Sequence, residues 1–142
     1  MTRQRGVFVA LLLAAGAFAC GKLAELPTEP GGPPADPSAT FTRVQNEIFT
    51  PSCALSGCHD ASGQQEGQVL TAGQSYAMIV GVPSHEMPTL KRIEPGDPSN
   101  SYLYRKVVGS GIVGTQMPQG GQLTEQQISL LRDWIRRGAP ND

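Results

Sequence analysis

The sequence predicts a small all-α domain. Apolar side chains recur at helical spacing near residues 41–49, 98–107 and 124–135. A strand signal is limited to short ambiguous runs such as residues 111–114. The chain has 17 glycines, 12 prolines and only 6% aromatic residues among 142 positions, so the polypeptide alone supplies a thin apolar core. A small domain with so thin a core usually needs a disulfide, a metal or a cofactor to complete its interior.

Residues 1–19 have the pattern of an export signal. Arg3 and Arg5 precede an apolar stretch rich in Ala and Leu, which is too short to span a bilayer. Ala17-Phe18-Ala19-Cys20 resembles a bacterial lipoprotein box, which predicts cleavage before Cys20 and lipidation of its thiol. Gly21 is compatible with an outer-membrane destination. The alternative is an ordinary secretory signal that leaves Cys20 as a free thiol.

Residues 20–40 are rich in proline and poor in large apolar side chains. Such a segment cannot bury a core, and it predicts a semi-extended tether between the lipidated cysteine and a domain at residues 41–140. The formal net charge of the whole chain is −1, and no basic cluster suggests nucleic-acid binding.

The first half of the domain contains two predicted helices. Phe41, Val44, Ile48 and Phe49 form one apolar face, and Pro51 is expected to end this first helix. After a polar loop at residues 60–68, Thr71 is expected to cap a short helix over residues 72–80.

The second half contains two more predicted helices. Asp97 is expected to be an N-cap, with Pro98 in the first turn of a helix that buries Tyr102, Leu103 and Val107. Thr124 and Gln127 form a capping box that starts the last helix. Its apolar stripe continues until Gly138 and Pro140 end it; the stripe consists of Ile128, Leu131, Trp134 and Ile135.

The segment from Cys53 to His59 carries the strongest chemical signal. Two thiols followed at once by an imidazole suit covalent haem attachment, because the thiols add to the haem vinyl groups and the histidine reaches the iron. Four residues separate Cys53 from Cys58, where the usual motif has two. Ser56 and Gly57 are small and would let the extra length bulge out.

Two simpler interpretations of these cysteines remain open at this point. Cys53 and Cys58 are able to form a disulfide in an oxidising compartment. A structural zinc held by Cys53, Cys58, His59 and His85 is a second alternative, although adjacent ligands at 58 and 59 would be awkward.

Several motifs in order resemble the monohaem class I cytochrome c family. They are the Cys-His segment, Pro95 to Pro98 with Ser101 to Leu103, Met117-Pro118 in a Gly-rich loop, and Leu130 to Pro140. The resemblance covers about residues 41–140. It implies thioethers at Cys53 and Cys58, His59 as the proximal ligand and Met117 as the distal ligand. It also implies crossed terminal helices that bring Phe41, Phe49 and Trp134 together.

Met87 and His85 are the other candidate distal ligands. With haem c bound between His59 and a methionine, both axial positions are filled, so the expected function is single-electron transfer and not an enzymatic reaction. The expected partners are redox proteins of the bacterial envelope, with a lipid anchor holding the chain to a membrane on its periplasmic side. The alternatives are a haem protein with an open distal site, resembling a peroxidase or sensor, and a haem-free lipoprotein stapled by a disulfide.

Overall fold

The structure, a computed structural model, describes residues 33–142, which pack as one unit. The predicted export signal, the lipidation at Cys20 and the tether up to residue 32 lie outside the described residues. Within residues 33–142, no helix is long and apolar enough to cross a membrane.

The described part of the chain is built from short helices and turns. In order they are α1 (Phe41–Val44), a π-helical segment (Gln45–Phe49), α2 (Thr50–Ser52), a 3-10 turn (Gln65–Gly67), α3 (Ser75–Ile79), a second 3-10 turn (Pro98–Asn100), α4 (Tyr102–Val108) and α5 (Glu125–Arg136). Residues 33–142 contain isolated β-bridges but no strand, which confirms the all-α class.

The first helical run begins at Phe41 and continues one residue past Pro51, so the predicted end at Pro51 is slightly wrong. Thr40 caps its start by accepting a hydrogen bond from the backbone N–H of Arg43 at 3.2 Å. Pro51 has no N–H to offer the carbonyl of Glu47 four residues earlier. The side-chain amide of Gln127 donates to that carbonyl instead, at 2.7 Å, and so joins the first helical run to α5.

Helix α5 begins and packs as the sequence predicts. Thr124 and Gln127 form the reciprocal capping box, and Leu131, Trp134 and Ile135 are fully buried. The Phe41 ring lies 5.4 Å from the Trp134 ring and 6.4 Å from the Phe49 ring, measured between centroids. The expected meeting of these three aromatic residues is therefore confirmed, with Phe49 and Trp134 fully buried and Phe41 packed against the core.

The prediction that Thr71 caps a helix is wrong. Helix α3 begins only at Ser75, and the Thr71 hydroxyl is buried with no hydrogen-bond partner among residues 33–142. The carbonyl of Thr71 instead accepts from the backbone N–H groups of Gln74 and Ser75. Gly73 between them has a φ of 82°, which interrupts the helical path that a cap at Thr71 would require.

Asp97 acts as an N-cap, but of a shorter element than predicted. Its carboxylate accepts from the backbone N–H of Asn100 at 3.1 Å and caps only a 3-10 turn. Ser101 then adopts an extended conformation, and α4 begins at Tyr102. Tyr102, Leu103 and Val107 are buried, as the apolar pattern indicates.

The packed unit also includes residues just before Phe41. Ala39 is fully buried, and its carbonyl accepts a hydrogen bond from the guanidinium of Arg137. The carboxylate of Asp142 accepts from the backbone N–H of Phe41 at 2.9 Å. The two ends of the described chain are therefore held together at the start of the first helical run.

Candidate functional site

A cavity of about 510 Å³ contains all four residues that the sequence singles out in the domain. Cys53, Cys58, His59 and Met117 line it together, although Met117 lies 58 residues beyond His59 in the chain. All residues that line the cavity lie within 48–70, 84–107 and 114–119. This volume falls within the range of sites that enclose a small molecule or cofactor.

The long spacing between the two cysteines is accommodated by a closed loop. The backbone N–H of His59 donates to the carbonyl of Cys53 at 3.2 Å, and that of Cys58 donates to Leu55 at 2.9 Å. Gly57 has a φ of 78°, a conformation that glycine adopts without steric cost, as expected from the sequence. The extra residues therefore form a turn, and His59 returns to lie beside Cys53.

Asp60 fastens this loop from its C-terminal side. Its carboxylate accepts from the hydroxyl of Ser62 at 2.6 Å, and from the backbone N–H groups of Gly63 at 2.7 Å and Gly57 at 3.3 Å. The Ser62 hydroxyl and the Gly63 N–H hold the pKa of Asp60 below its ordinary value, because they stabilise the charged form.

Gly63 packs directly against the loop, so we expect Gly63→Ala to destabilise the protein. A Cβ at this position would lie 2.5 Å from the carbonyl carbon of Gly57 and 2.6 Å from the carbonyl oxygen of Cys58. Overpacking of this kind costs about 1–3 kcal/mol. Urea denaturation of the purified protein measures the effect.

Gly121→Ala is the matched control for Gly63→Ala. The nearest atom to a Cβ at Gly121 is 4.0 Å away, on Pro118, and the φ of Gly121 is not positive. Equal urea midpoints for the two variants would contradict the close packing at Gly63.

Three contacts fix the orientation of His59. Its N–H bonds to Cys53, its carbonyl accepts from the backbone N–H of Leu70 at 2.7 Å, and its Nδ1 lies 3.4 Å from the carbonyl of Gln68. Donation from Nδ1 to Gln68 selects the tautomer in which Nε2 carries a lone pair. Among residues 33–142, no hydrogen-bond partner reaches Nε2, so this nitrogen is available to a metal.

The two cysteines differ in exposure, and burial changes the pKa of Cys53. Both are free thiols; Cys53 is half-buried and Cys58 is exposed. Burial, together with the neighbouring Cys58, raises the pKa of the Cys53 thiol to about 12. Cys53 is therefore a neutral thiol at physiological pH.

This difference predicts that iodoacetamide modifies Cys58 before Cys53 in the haem-free chain. The thiolate is the nucleophile, so the rate at Cys53 is expected to keep rising with pH up to about 12. Peptide mapping by mass spectrometry separates the two sites from each other and from Cys20. Equal rates at Cys53 and Cys58 at neutral pH would show that Cys53 is not shielded.

Met117 is presented by a loop that is fastened to the end of α4. Its backbone N–H donates to the carbonyl of Lys106 at 2.9 Å, and the side-chain amide of Gln116 donates to Val107 at 2.7 Å. The Met117 side chain is half-buried and faces the cavity. Its position is therefore set by two hydrogen bonds to a helix that forms another part of the wall.

The other two candidate distal ligands are placed less favourably. Met87 is not among the residues that line the cavity. His85 lines it, but its side chain is 75% exposed and its Nδ1 pairs with the carboxylate of Glu66 at 2.7 Å. His85 therefore belongs to the rim, and Met117 is the better placed of the three.

Sequence reasoning missed two buried cations in the cavity wall. Arg92 is only 8% exposed, and its hydrogen-bond acceptors are the neutral carbonyls of Met78, Glu66 and Gly67. Within residues 33–142 no carboxylate pairs with Arg92, and burial lowers its pKa. A buried cation without a counter-ion is costly, so the part of the wall at Arg92 favours an anionic group.

Lys106 is equally buried but differs from Arg92 in being paired. Its ammonium lies 3.1 Å from the carboxylate of Glu86 and donates to the carbonyl of Val113 at 2.9 Å. These two contacts of Lys106 join α4 to the loop that contains Glu86 and to the loop that contains Val113. No local sequence pattern marks Arg92 or Lys106, because their partners are distant along the chain.

The described residues give no support to the zinc alternative. Residues 33–142 contain no group of three or more His, Cys, Asp or Glu side chains placed to hold a metal ion. The four residues of that alternative line one cavity but do not surround a common point.

No protein-family model, no curated protein and no solved structure matches this chain. The assignment of a function therefore depends on the chemistry of the cavity.

Proposed function

We propose that this protein is an electron carrier of the bacterial envelope that holds one covalent haem c between His59 and Met117. The observation that carries the proposal is the convergence of Cys53, Cys58, His59 and Met117 on one cavity. Two thiols, an imidazole and a thioether are the groups that a c-type haem site requires. The resemblance in motif order to class I cytochromes c points to the same function.

The residues present fit such a group chemically. The thiols of Cys53 and Cys58 would add across its two vinyl groups, forming thioethers without a change of oxidation state. His59 would bind iron through Nε2, since Nδ1 is directed to the Gln68 carbonyl. The sulfur of Met117 is a soft ligand that favours ferrous iron. The haem, once bound, supplies a reversible one-electron couple.

One charge in the wall, that of Arg92, also suits a haem, which carries carboxylate groups. Arg92 lines the cavity and has only neutral acceptors among the described residues. A haem carboxylate near Arg92 would neutralise a charge that is otherwise buried alone.

The setting of the domain follows from the sequence. An export signal at residues 1–19, lipidation at Cys20 and a proline-rich tether would place the domain on the periplasmic side of a membrane, with the outer membrane preferred. Its partners would then be redox proteins of the envelope. A domain on a tether suits a carrier that must reach more than one of them.

The test distinguishes an electron carrier, in which Met117 binds the iron, from a haem protein with an open distal site. The haem-loaded protein is titrated potentiometrically, and its ferrous form is exposed to carbon monoxide. A single reversible one-electron wave with little carbon monoxide binding is expected, because Met117 would hold the iron and leave no open site. Rapid, stoichiometric carbon monoxide binding would instead favour the open site of a sensor or peroxidase.

A further inference from the structure

The segment from Glu66 to Leu70 forms the cradle of His59. The carbonyl of Gln68 lies 3.4 Å from the His59 Nδ1, and the N–H of Leu70 donates to the His59 carbonyl at 2.7 Å. The ring and the backbone of His59 therefore both depend on where this segment lies. Anything that fixes the segment also fixes the proposed proximal ligand.

Gln45 fixes the cradle from the other side. Its side-chain Nε2 donates to the carbonyl of Leu70 at 3.0 Å, across 25 residues of sequence. Gln45 is only 5% exposed, so this hydrogen bond is shielded from water. Leu70 thus accepts from Gln45 with its carbonyl and donates to His59 with its N–H.

The Gln45 side chain cannot leave this position without breaking further hydrogen bonds. Its Nε2 also donates to the hydroxyl of Thr50 at 3.0 Å, and its Oε1 accepts from the fully buried hydroxyl of Ser75 at 2.5 Å. A buried amide with all of these partners is rigid, and removing it leaves unpaired groups behind.

The backbone at Gln45 is also unusual. Gln45 begins the π-helical segment, in which its carbonyl accepts from the N–H of Thr50, five residues later. Short π-helical insertions are rare and frequently occur at functional sites. Here the segment presents Gln45 on the same buried side as Ile48 and Phe49, both of which line the cavity.

We infer that Gln45 is a positioning residue for His59, acting through the Leu70 carbonyl. The inference depends on the proposed haem function, because it assigns to Gln45 a role in setting the properties of the iron. A hydrogen bond from Nδ1 to Gln68 increases the basicity of the ligating imidazole. If the cradle loosens, that hydrogen bond weakens, His59 donates less electron density and the reduction potential rises.

The variant Gln45→Met tests this inference, since it keeps the length of the side chain but loses the amide. We expect a higher reduction potential in the haem-loaded protein. We also expect faster hydrogen exchange at the amides of Leu70 and His59, measured by NMR. Gln45→Glu is the second variant, for the case in which Gln45→Met fails to fold. It retains the oxygen that accepts from Ser75 and loses the amide nitrogen that donates to Leu70 and to Thr50.

Two controls separate positioning from general stability. Ser75→Ala removes the other buried hydrogen bond of Gln45 and leaves the bond to Leu70. Gln127→Glu removes an amide donor to a backbone carbonyl, that of Glu47, and leaves every hydrogen bond of the Glu66–Leu70 segment in place. Both controls are expected to keep the wild-type potential and the wild-type exchange at Leu70.

The inference is overturned if the Gln45 variants keep the wild-type potential or the wild-type Leu70 exchange. It is also overturned if Ser75→Ala raises the potential as much as Gln45→Met does. A wild-type protein that carries no haem would overturn the proposed function instead. In that case the amide exchange of the haem-free chain still decides whether Gln45 holds the cradle.

Discussion

Replacing His59 with Ala is expected to abolish stable haem incorporation and to leave a domain that proteases cut readily. Of the two histidines in residues 33–142, His59 is the one that lies beside both cysteines. Hydrogen bonds of its backbone and of its Nδ1 hold it there. Without its Nε2, the iron would lose the ligand that follows directly after Cys58. Since a cofactor that binds only the folded chain stabilises it, its loss lowers resistance to proteolysis.

His85→Ala is the matched control, because His85 lines the same cavity from its exposed rim. Haem content is measured by absorbance per protein, and stability by limited proteolysis. The control is expected to match the wild type in both. Full haem content in His59→Ala, or an intact protease-resistant domain without haem, would refute the role given to His59 and the idea that haem completes the core.

Replacing Met117 with Ala is expected to lower the reduction potential and to open the iron to added ligands. The thioether sulfur of methionine is soft and stabilises ferrous iron, so its loss favours the ferric state. We expect a fall of roughly 100 mV or more, a fraction of the about 0.8 V range that axial ligands span. Potentiometric titration and binding of imidazole or carbon monoxide measure the two effects.

Met87→Ala controls for the loss of a methionine as such. Met87 is not among the cavity-lining residues, so this variant is expected to keep the wild-type potential and spectrum. If Met117→Ala leaves the ferric spectrum and the potential unchanged while Met87→Ala alters them, Met117 is not the distal ligand.

The parts of the fold that sequence predicts well are those that depend on neighbouring residues. The capping box of Thr124 and Gln127 is complete within four residues, and the helix it starts has the expected buried stripe. Thr71 shows the limit of such reasoning, because a Thr before a helix is a cap only if its backbone leads into the first turn. The turn at Gly73 delays α3 and leaves the Thr71 hydroxyl buried instead.

The π-helical segment is invisible to a helical apolar pattern. Val44, Ile48 and Phe49 fit an ordinary α-helix equally well, and the segment's hydrogen bonds to the rest of the domain involve residues that are distant in sequence. Gln127 supplies one of these contacts, at the Glu47 carbonyl that Pro51 cannot serve.

The same distinction holds for the candidate site. Cys53, Cys58 and His59 are recognisable because their chemistry is packed into seven residues. Arg92 and Gln45 are not recognisable in this way, since each donates hydrogen bonds to backbone carbonyl groups about 25 residues away. Polar residues that support a site through backbone atoms leave no local signature, and only the three-dimensional arrangement reveals them.

The most direct test of the central claim is an absorption spectrum of the full chain, exported from a host with cytochrome maturation machinery, together with a pyridine haemochrome assay. We predict a c-type spectrum, with haem retained through acid–acetone extraction. The position of the pyridine haemochrome band then tells whether Cys53 and Cys58 both form thioethers or only one does. A colourless protein in which Cys53 and Cys58 are joined by a disulfide would contradict the haem site and the electron-transfer function with it.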